Sequence, residues 1–336
     1  MEHEDKRHQG PVLPPAKLAR LRNDVDRYGC SDVIAKRLGI NRAPRSFASW
    51  RHGWVWFPVE NPEEIGYGLS PRNMPIIVRA DSERDMLVRS GFHTVVTGGL
   101  PFAYVENSGQ QRKPGSLIAF PPHSLGYGER IVVDEEYLEY VSSMKGKFSE
   151  VYCCLFWDDY KNPQAVDACK KRDIKVICGA RPDDMNSLRR MRGIFDYFDF
   201  ATTSTMGSHV LYAAYCGCRV SMAGPYHAHK KEVIEKDSYV CQFPGYADRL
   251  FAAYDKRGLM AQFPWLFVDH PMQAVPMRDW AEKEIGAGDM LDDATIMELL
   301  GWSPRARLKA ISRGILRRAR RYLENGVASC RKILQA

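Results

Sequence analysis

The sequence of 336 residues contains no apolar run long enough to cross a membrane as a helix. Its longest apolar runs, such as Val151–Trp157, have the length of β-strands. The N-terminal residues are charged and lack the apolar core of a secretion signal. No segment repeats at a fixed period, so a solenoid is excluded. We therefore expect a soluble, cytoplasmic protein.

Signature motifs of common enzyme classes are also missing. The chain has no GxGxxG motif, no GxxxxGK[ST] phosphate loop, no GxSxG, no HExxH and no kinase motif set. The nine cysteines include Cys216-Gly-Cys218, but no second pair lies at the spacing of a zinc site. An odd number of cysteines fits a reducing compartment. The sequence thus predicts no metal site.

The positive charge of the chain is concentrated near its end. The net charge is +7, and residues 303–323 carry eight Lys or Arg side chains and no acidic one. Without this segment the rest of the chain has a net charge close to −1. A nearly neutral body is untypical of a domain that coats nucleic acid, so we expect no nucleic-acid partner.

The first part of the chain has the pattern of a short α/β unit. Residues 16–38 have apolar residues at helical spacing, and an aromatic, strand-like segment around Trp50 follows. A strand–helix–strand pattern then covers residues 75–78, 82–90 and 94–97. The polar segment 106–115, with its Gly and Pro residues, predicts a linker. We therefore place an N-terminal Rossmann-like unit at 16–110, which is short for a complete domain of this type.

Short apolar strands and helices alternate in the second part of the chain. The five predicted strands cover residues 117–120, 150–157, 174–178, 198–202 and 219–222. The predicted helices between them cover residues 134–144, 163–171, 183–194 and 207–216. This alternation indicates a parallel sheet with helices on both faces, and we assign residues 116–302 to a second Rossmann-like unit. The predicted fold class is α/β with two Rossmann-like domains, and the ligand is expected beyond the carboxyl ends of the strands.

The strongest functional pattern is the segment in which the fourth of these strands meets its helix. The turn and the first helical positions contain Thr203, Ser204, Thr205, Gly207, Ser208 and His209. Hydroxyl groups and free backbone N–H groups at the start of a helix bind anions such as a diphosphate. We therefore predict that these residues bind the phosphates of a ligand. The alternative is ordinary helix capping by Ser or Thr.

Two other strand ends carry residues that would face the same crevice. His123 and Ser124 follow the first strand, where a cationic histidine can neutralise a leaving phosphate. Gly179 and Arg181 follow the third strand. The glycine lets a base or ribose approach the backbone, and the arginine can pair with phosphate. The alternatives are a surface turn for the first pair and a solvated loop for the second.

His52 is the candidate base on the first unit. It lies in the aromatic segment Trp50-Arg-His-Gly-Trp, whose glycine suggests exposed backbone beside a ligand. A histidine there can exchange a proton with a reacting group across the cleft. The alternative is an aromatic core strand with an incidental histidine.

Four segments with distinctive residues follow one another along the chain. They are Trp50-Arg-His-Gly-Trp, the stretch from Asp81-Ser-Glu-Arg-Asp to Thr97-Gly-Gly-Leu-Pro-Phe, Phe120-Pro-Pro-His-Ser, and residues 202–208 with the later Tyr-Ala-Ala-Tyr-Cys-Gly-Cys-Arg-Val-Ser. This order and spacing, over residues 45–225, resemble the GT-B class of glycosyltransferases. The local similarity is greatest to bacterial enzymes of surface polysaccharide assembly, which make capsule or O-antigen.

The resemblance implies a glycosyltransferase that needs no metal. Its donor would be a nucleotide sugar, which is a substrate, so no cofactor is expected. The acceptor would be a glycan or a lipid-linked glycan. The resemblance places the nucleotide sugar at residues 202–208, while His52 would act as the base and His123 would assist the leaving phosphate.

Residues 303–336 predict a basic amphipathic helix at the end of the chain. Its apolar residues within 304–323 fall on one face at helical spacing, and its basic residues surround them. Such a helix can lie on an anionic bilayer, where each basic residue contributes roughly 1 kcal/mol. We therefore expect the enzyme to associate with the inner membrane face. The alternative is that the apolar face packs on the body of the protein.

Two other functions are compatible with the same pattern. A pyruvyl transferase, a glycerol-phosphate transferase or a UDP-sugar epimerase would keep the fold and change the reaction. A non-catalytic protein that binds glycan or scaffolds an assembly complex would keep the fold and not bind nucleotide. Nucleotide binding and donor preference therefore separate the three interpretations.

Overall fold

The computed structural model describes residues 10–122 and 134–308. Within these residues the chain forms two parallel β-sheets, one of three strands and one of five, with helices between the strands. The predicted α/β class and the parallel pairing of the strands are therefore confirmed. In this part of the chain no helix combines the length and the apolar character needed to span a bilayer.

The three-stranded sheet is small and deeply buried at its centre. Its elements are helix α1 (Cys30–Arg37), strand β1 (Ser49–Trp50), strand β2 (Ile76–Val78), helix α2 (Asp81–Arg89) and strand β3 (Val95–Thr97). Strand β2 pairs in parallel with both neighbours. Ile77 packs in one apolar cluster while Ile76 and Val78 pack in another, as the alternation of side chains along a strand requires. Both faces of β2 are therefore covered, which fixes the position of β1 and of the loop that follows it.

The five-stranded sheet carries the regular alternation predicted from the sequence. Its elements are β4 (Lys113–Phe120), α3 (Glu135–Ser142), β5 (Glu150–Leu155), α4 (Trp157–Tyr160), α5 (Pro163–Lys171), β6 (Lys175–Cys178), α6 (Ser187–Tyr197), β7 (Phe198–Thr203), α7 (Ser208–Tyr215) and β8 (Arg219–Ser221). All five predicted strands are present, with limits within four residues of the prediction. Trp157 was predicted to end β5 and instead begins α4, whose Tyr160 N–H donates to Phe156 O at 2.8 Å.

The strand order β6-β5-β4-β7-β8 determines where a ligand can bind. The chain adds β5 and β6 on one side of β4 and then returns to place β7 and β8 on the other side. The carboxyl ends of β4 and β7 lie side by side, with Phe120 paired with Thr203. Because the connections from these two strands leave in opposite directions, a crevice opens between their ends.

The remaining described helices follow β8. They are α8 (Lys231–Glu235), α9 (Tyr246–Ala253), α10 (Lys256–Gln262), α11 (Arg278–Ile285) and α12 (Asp293–Leu300). Short 3-10 helices lie at Asp24–Gly29, Pro62–Ile65, Pro101–Tyr104, Val240–Gln242, Pro264–Leu266, Pro271–Gln273 and Ala287–Asp289. Asp255 leaves the helical conformation and caps α10 by accepting a hydrogen bond from Gly258 N, so the chain forms two helices.

The last two of these helices pack back on the first sheet. Leu100 N donates to Ile285 O at 2.9 Å, and Phe47 N donates to Leu300 O at 3.0 Å. Helix α11 also packs against α7 of the second sheet. The end of the segment that was predicted to belong to the second unit therefore contacts both sheets, and the predicted domain limits stay a prediction.

The predicted basic helix lies mostly outside the described residues. Residues 304–308 are helical, and Leu308, which belongs to the predicted apolar face, is 70% exposed. The association of this helix with a membrane stays a prediction.

Candidate active site

A cavity of about 310 Å³ opens at the crevice between β4 and β7. Five of the predicted site residues line it together: His52, Gly179, Gly207, Ser208 and His209. Among the described residues, no Lys, Arg, Asp or Glu contributes to its wall, so the two histidines are its only lining groups that can become cationic near neutral pH. The volume and the largely apolar wall are typical of a site for a small molecule.

Three predicted phosphate-binding residues lie behind this wall. Thr203, Ser204 and Thr205 are at most 2% exposed and do not line the cavity. Within the described part of the chain, Ser204 Oγ and Thr205 Oγ1 are buried without a hydrogen-bond partner. The structure therefore brings the backbone of the turn to the cavity at Gly207 but not these three hydroxyl groups. Phosphate binding by them stays a prediction.

Thr203 instead contacts His209. His209 Nε2 lies 2.8 Å from Thr203 Oγ1, and the imidazole stacks on the Phe120 ring at a centroid distance of 5.0 Å. The threonine hydroxyl can donate to Thr205 O at 2.9 Å, so its oxygen can accept from the imidazole. In that arrangement Nδ1 is the ring nitrogen on the side of Gly207, where an added Cβ would lie only 3.0 Å away. The glycine therefore leaves room for the imidazole in this position.

Helix α7 also holds the loop that carries His52. Trp54 N–H donates to Ser208 Oγ at 2.9 Å, and Tyr212 OH donates to the backbone oxygen of His52 at 2.7 Å. Ser208 and Tyr212 are four residues apart and so lie on the same helical face. Ser208 was predicted to bind phosphate, but its oxygen accepts a hydrogen bond from the loop of the first sheet. Its role toward phosphate stays a prediction.

The imidazole of His52 lies beside a carboxylate. His52 Nδ1 is 3.8 Å from Asp24 Oδ1, and Asp24 Oδ2 accepts a hydrogen bond of 2.5 Å from Ser49 Oγ. Burial lowers the pKa of His52 below its ordinary value, and the negative charge of Asp24 opposes part of this shift. The neutral imidazole can therefore accept a proton near neutral pH, and Asp24 can stabilise the cation that forms.

Tyr28 forms a wall of the cavity that the sequence pattern did not reveal. Its ring centroid lies 5.3 Å from that of His52. The residue adopts a left-handed conformation (φ +56°), and its N–H donates to Pro182 O at 2.8 Å. This conformation is unfavourable for a residue other than glycine, so packing of the turn against residues 182–185 must hold Tyr28 in place.

Of the two residues predicted after the third strand, Gly179 lies at the cavity and Arg181 does not. Gly179 lines the cavity, but a Cβ at this position would meet Cys154 Sγ at 3.0 Å and Leu155 O at 3.1 Å. The glycine is therefore required by packing against β5, not only by a ligand. Arg181 does not line the cavity; it pairs with Asp183 and stacks over Trp157 at 4.1 Å. Its predicted pairing with phosphate stays a prediction.

A second and larger cavity of about 750 Å³ adjoins the first. His52 and Gly53 line both cavities, so the loop after β1 separates them. The larger cavity has a mixed wall that includes the polar side chains of Asp24 and Arg45 and the aromatic ring of Tyr67. The sequence carries no signal for this cavity, because its lining residues are distributed over residues 23–74 without a motif.

The two remaining predicted site residues, His123 and Ser124, lie outside the described residues, and their roles stay predictions. Asp24 and Tyr28 were missed because residues 16–38 have a helical pattern in which neither stands out. The signal that could have found them is Tyr28-Gly29, a pair that suggests a turn within that pattern. Over residues 10–122 and 134–308, no three His, Cys, Asp or Glu side chains converge in the manner of a metal site.

Comparison with known proteins gives only distant similarity. No protein-family model and no curated protein matches the chain. One similar solved structure is the pneumococcal O-GlcNAc transferase GtfA in complex with UDP and GlcNAc, with 13% identity and a TM-score of 0.31 over 79% of this chain and 52% of that one. Another is a variant of S. aureus TarM in complex with Fondaparinux, alpha-GlcNAc-glycerol and UDP, with 10% identity and a TM-score of 0.32 over 80% and 52%. The chain spans about half the length of each protein that it matches.

Proposed function

We propose that the chain is a glycosyltransferase that moves a sugar from a nucleotide sugar to a hydroxyl group of a glycan or lipid-linked acceptor. The observation that carries this proposal is the position of His52, which lines both the cavity at the β4–β7 crevice and the larger cavity beside it. The smaller cavity would hold the donor and the larger one the acceptor. A base between two substrate sites is the arrangement that direct group transfer requires.

In the proposed reaction, His52 takes the proton of the acceptor hydroxyl while the oxygen of that hydroxyl bonds to the anomeric carbon of the donor sugar. The bond between that carbon and the phosphate oxygen breaks, and the nucleotide leaves with the electron pair. The lowered pKa of His52 keeps the imidazole neutral before the reaction. Asp24, 3.8 Å from Nδ1, would then stabilise the imidazolium.

The leaving phosphate would bind where α7 begins. The backbone N–H groups of its first turn carry the positive end of the helix dipole, and His209 lies in the same turn. Because no Lys or Arg of the described residues lines this cavity, these groups would supply the stabilisation of the leaving charge. We propose that transfer needs no metal and that no cofactor takes part.

A thermal-shift screen tests the nucleotide-sugar proposal. The full chain is mixed with UDP-, GDP-, CMP- and dTDP-sugars, with phosphoenolpyruvate and with CDP-glycerol, and the stabilising donors are then tested for transfer to glycan acceptors. We expect one class of nucleotide sugar to raise the melting temperature. Stabilisation by phosphoenolpyruvate or CDP-glycerol alone would favour the pyruvyl or glycerol-phosphate transferase, and no stabilisation by any nucleotide would favour the scaffold.

Two histidine variants separate catalysis from binding. His52→Asn should bind the nucleotide sugar like the wild type and lose at least a hundredfold in transfer rate, because general-base catalysis contributes about 10²–10⁴ in rate. His93→Asn is the matched control, since His93 is exposed and lies on neither cavity. Full transfer by His52→Asn would contradict the assignment of the base.

We further propose that the reaction belongs to surface polysaccharide assembly, such as that of capsule or O-antigen, on the cytoplasmic side of the inner membrane. The support is the eight basic residues within 303–323, which would bring the enzyme to an anionic membrane and a lipid-linked acceptor. Sedimentation with phosphatidylglycerol vesicles tests this, with and without residues 303–336. Equal sedimentation of the two chains would contradict the membrane role.

A further inference from the structure

The loop of His52 makes two hydrogen bonds with helix α7, one as acceptor and one as donor. Tyr212 OH donates to His52 O at 2.7 Å, and Ser208 Oγ accepts from Trp54 N–H at 2.9 Å. Gly53, between these two positions, lies beside the same serine, and an added Cβ would be at the ordinary van der Waals distance of 3.8 Å from Ser208 Oγ. The backbone on both sides of Gly53 is therefore fixed by a single face of α7.

Tyr212 is itself held firmly. Its ring stacks on Phe102 at a centroid distance of 4.1 Å and an interplanar angle of 7°, and the residue is 6% exposed. Burial raises the pKa of its hydroxyl well above the ordinary tyrosine value, so the group keeps its proton and can donate. The Tyr212 hydroxyl is thus a rigid hydrogen-bond donor, because its ring cannot turn away without losing the stack on Phe102.

We propose that Tyr212 and Ser208 are positioning residues for His52: by holding the backbone of residues 52–54, helix α7 places the imidazole between the two cavities. This inference rests on the proposed function, because it assigns these residues to the placement of the base. The purely structural explanation is that the two bonds satisfy buried backbone groups. That explanation predicts a loss of stability and no change at the imidazole.

Several groups surround the imidazole and would respond to a change in its position. Tyr28 lies against its face, and Asp24 lies 3.8 Å from Nδ1. The positive charges of Arg51 and Arg27 also act on it. If the loop moves away from α7, the imidazole gains contact with water and loses part of the shielding that lowers its pKa. The titration of His52 therefore reports its placement.

The test compares three tyrosine and serine variants in the full chain. Tyr212→Phe removes only the hydroxyl and keeps the ring stack, while Ser208→Ala removes the acceptor and Ser208→Thr restores it. Tyr104→Phe is the matched control, because Tyr104 OH also donates to a backbone oxygen, Gly98 O, at 2.7 Å. The histidine signals are followed by NMR across the pH range, without ligand, and that of His52 is identified from its absence in His52→Asn.

We expect the pKa of His52 to rise toward the ordinary histidine value in Tyr212→Phe and Ser208→Ala, and to stay unchanged in Ser208→Thr and Tyr104→Phe. The transfer rate should fall by about tenfold to a hundredfold in the first two variants, and in Tyr212→Phe the KM for the sugar donor found in the screen should stay unchanged. An unchanged titration of His52 in Tyr212→Phe would overturn the inference. If the titration moves but His52→Asn transfers normally, the placement stands and the proposed base is wrong.

Discussion

Replacement of Gly29 by alanine should destabilise the protein far more than the same change at another left-handed glycine. Gly29 has φ +79°, and a Cβ at this position would lie 2.0 Å from the backbone oxygen of Met185. An ordinary contact requires at least 3.4 Å, so the turn must move away by about 1.4 Å. That movement breaks the hydrogen bond of 2.8 Å from Tyr28 N to Pro182 O.

The cost has three parts. Alanine in the left-handed conformation costs about 1 kcal/mol relative to glycine. Loss of the Tyr28 hydrogen bond adds about 1 kcal/mol. Displacement of well-packed backbone adds about 1–3 kcal/mol. We therefore expect Gly29→Ala to reduce the free energy of unfolding by about 3 kcal/mol or more.

Gly39 provides the control. It has φ +66°, and an added Cβ would meet nothing within 4 Å, so Gly39→Ala should cost only about 1 kcal/mol. Both variants are unfolded in urea and followed by tryptophan fluorescence, and their midpoints are compared at equal slope. Equal losses of stability would show that the turn is not pressed against residues 182–185, and the account of how Tyr28 reaches the cavity would then fail.

Three other changes test the charges. Asp24→Asn should move the acidic limb of the pH–rate profile to lower pH, because loss of the carboxylate removes the charge that raises the pKa of His52; a shift to higher pH would contradict the pairing. Because the pKa of His52 is lowered in the folded state, the unfolded chain binds the proton more readily, and the free energy of unfolding should fall as the pH decreases below about 6.5. His52→Asn should reduce this dependence of the unfolding free energy on pH, as measured by urea titrations. Arg249→Leu should cost about 2 kcal/mol, because the Glu64 carboxylate, with its side chain 1% exposed, loses its ion-pair partner and keeps the N–H donors of Glu60 and Asn61. Arg278→Leu, whose ion pair is exposed, should cost less than about 1 kcal/mol in the same assay, and similar losses would refute the difference.

The five-stranded sheet could be predicted because its signals are local. Each strand is a short apolar run, and capping residues mark helix starts. Asn162 accepts a hydrogen bond from Gln164 N at the start of α5. The rule that ligands bind at the carboxyl ends of such strands predicts Gly179 and Gly207 at one site from the sequence alone. That placement needed only strand direction and no knowledge of side-chain contacts.

The orientation of the hydroxyl side chains could not be predicted in this way. Whether Thr203, Ser204 and Thr205 face the crevice depends on the pairing of β7 with β4 and on the course of the chain after Thr203. Both are set by contacts with residues more than 80 positions earlier, such as Phe120, which pairs with Thr203 across the two strands. The same run of hydroxyl residues is compatible with side chains that point into the cavity and with side chains that lie behind it, so the run alone does not predict their direction.

The position of the proposed base shows the same dependence on distant contacts. His52 lies two residues after a two-residue strand, and a loop after so short a strand has few local constraints. Its neighbours Asp24 and Tyr28 arrive from a turn held by residues 182–185, and its backbone is held by Tyr212 of α7. Both of these supports belong to the five-stranded part of the chain. A shift of α7 relative to β1 would therefore move the imidazole together with the proposed phosphate site, so the distance between base and leaving group is kept even if the two sheets move slightly against each other.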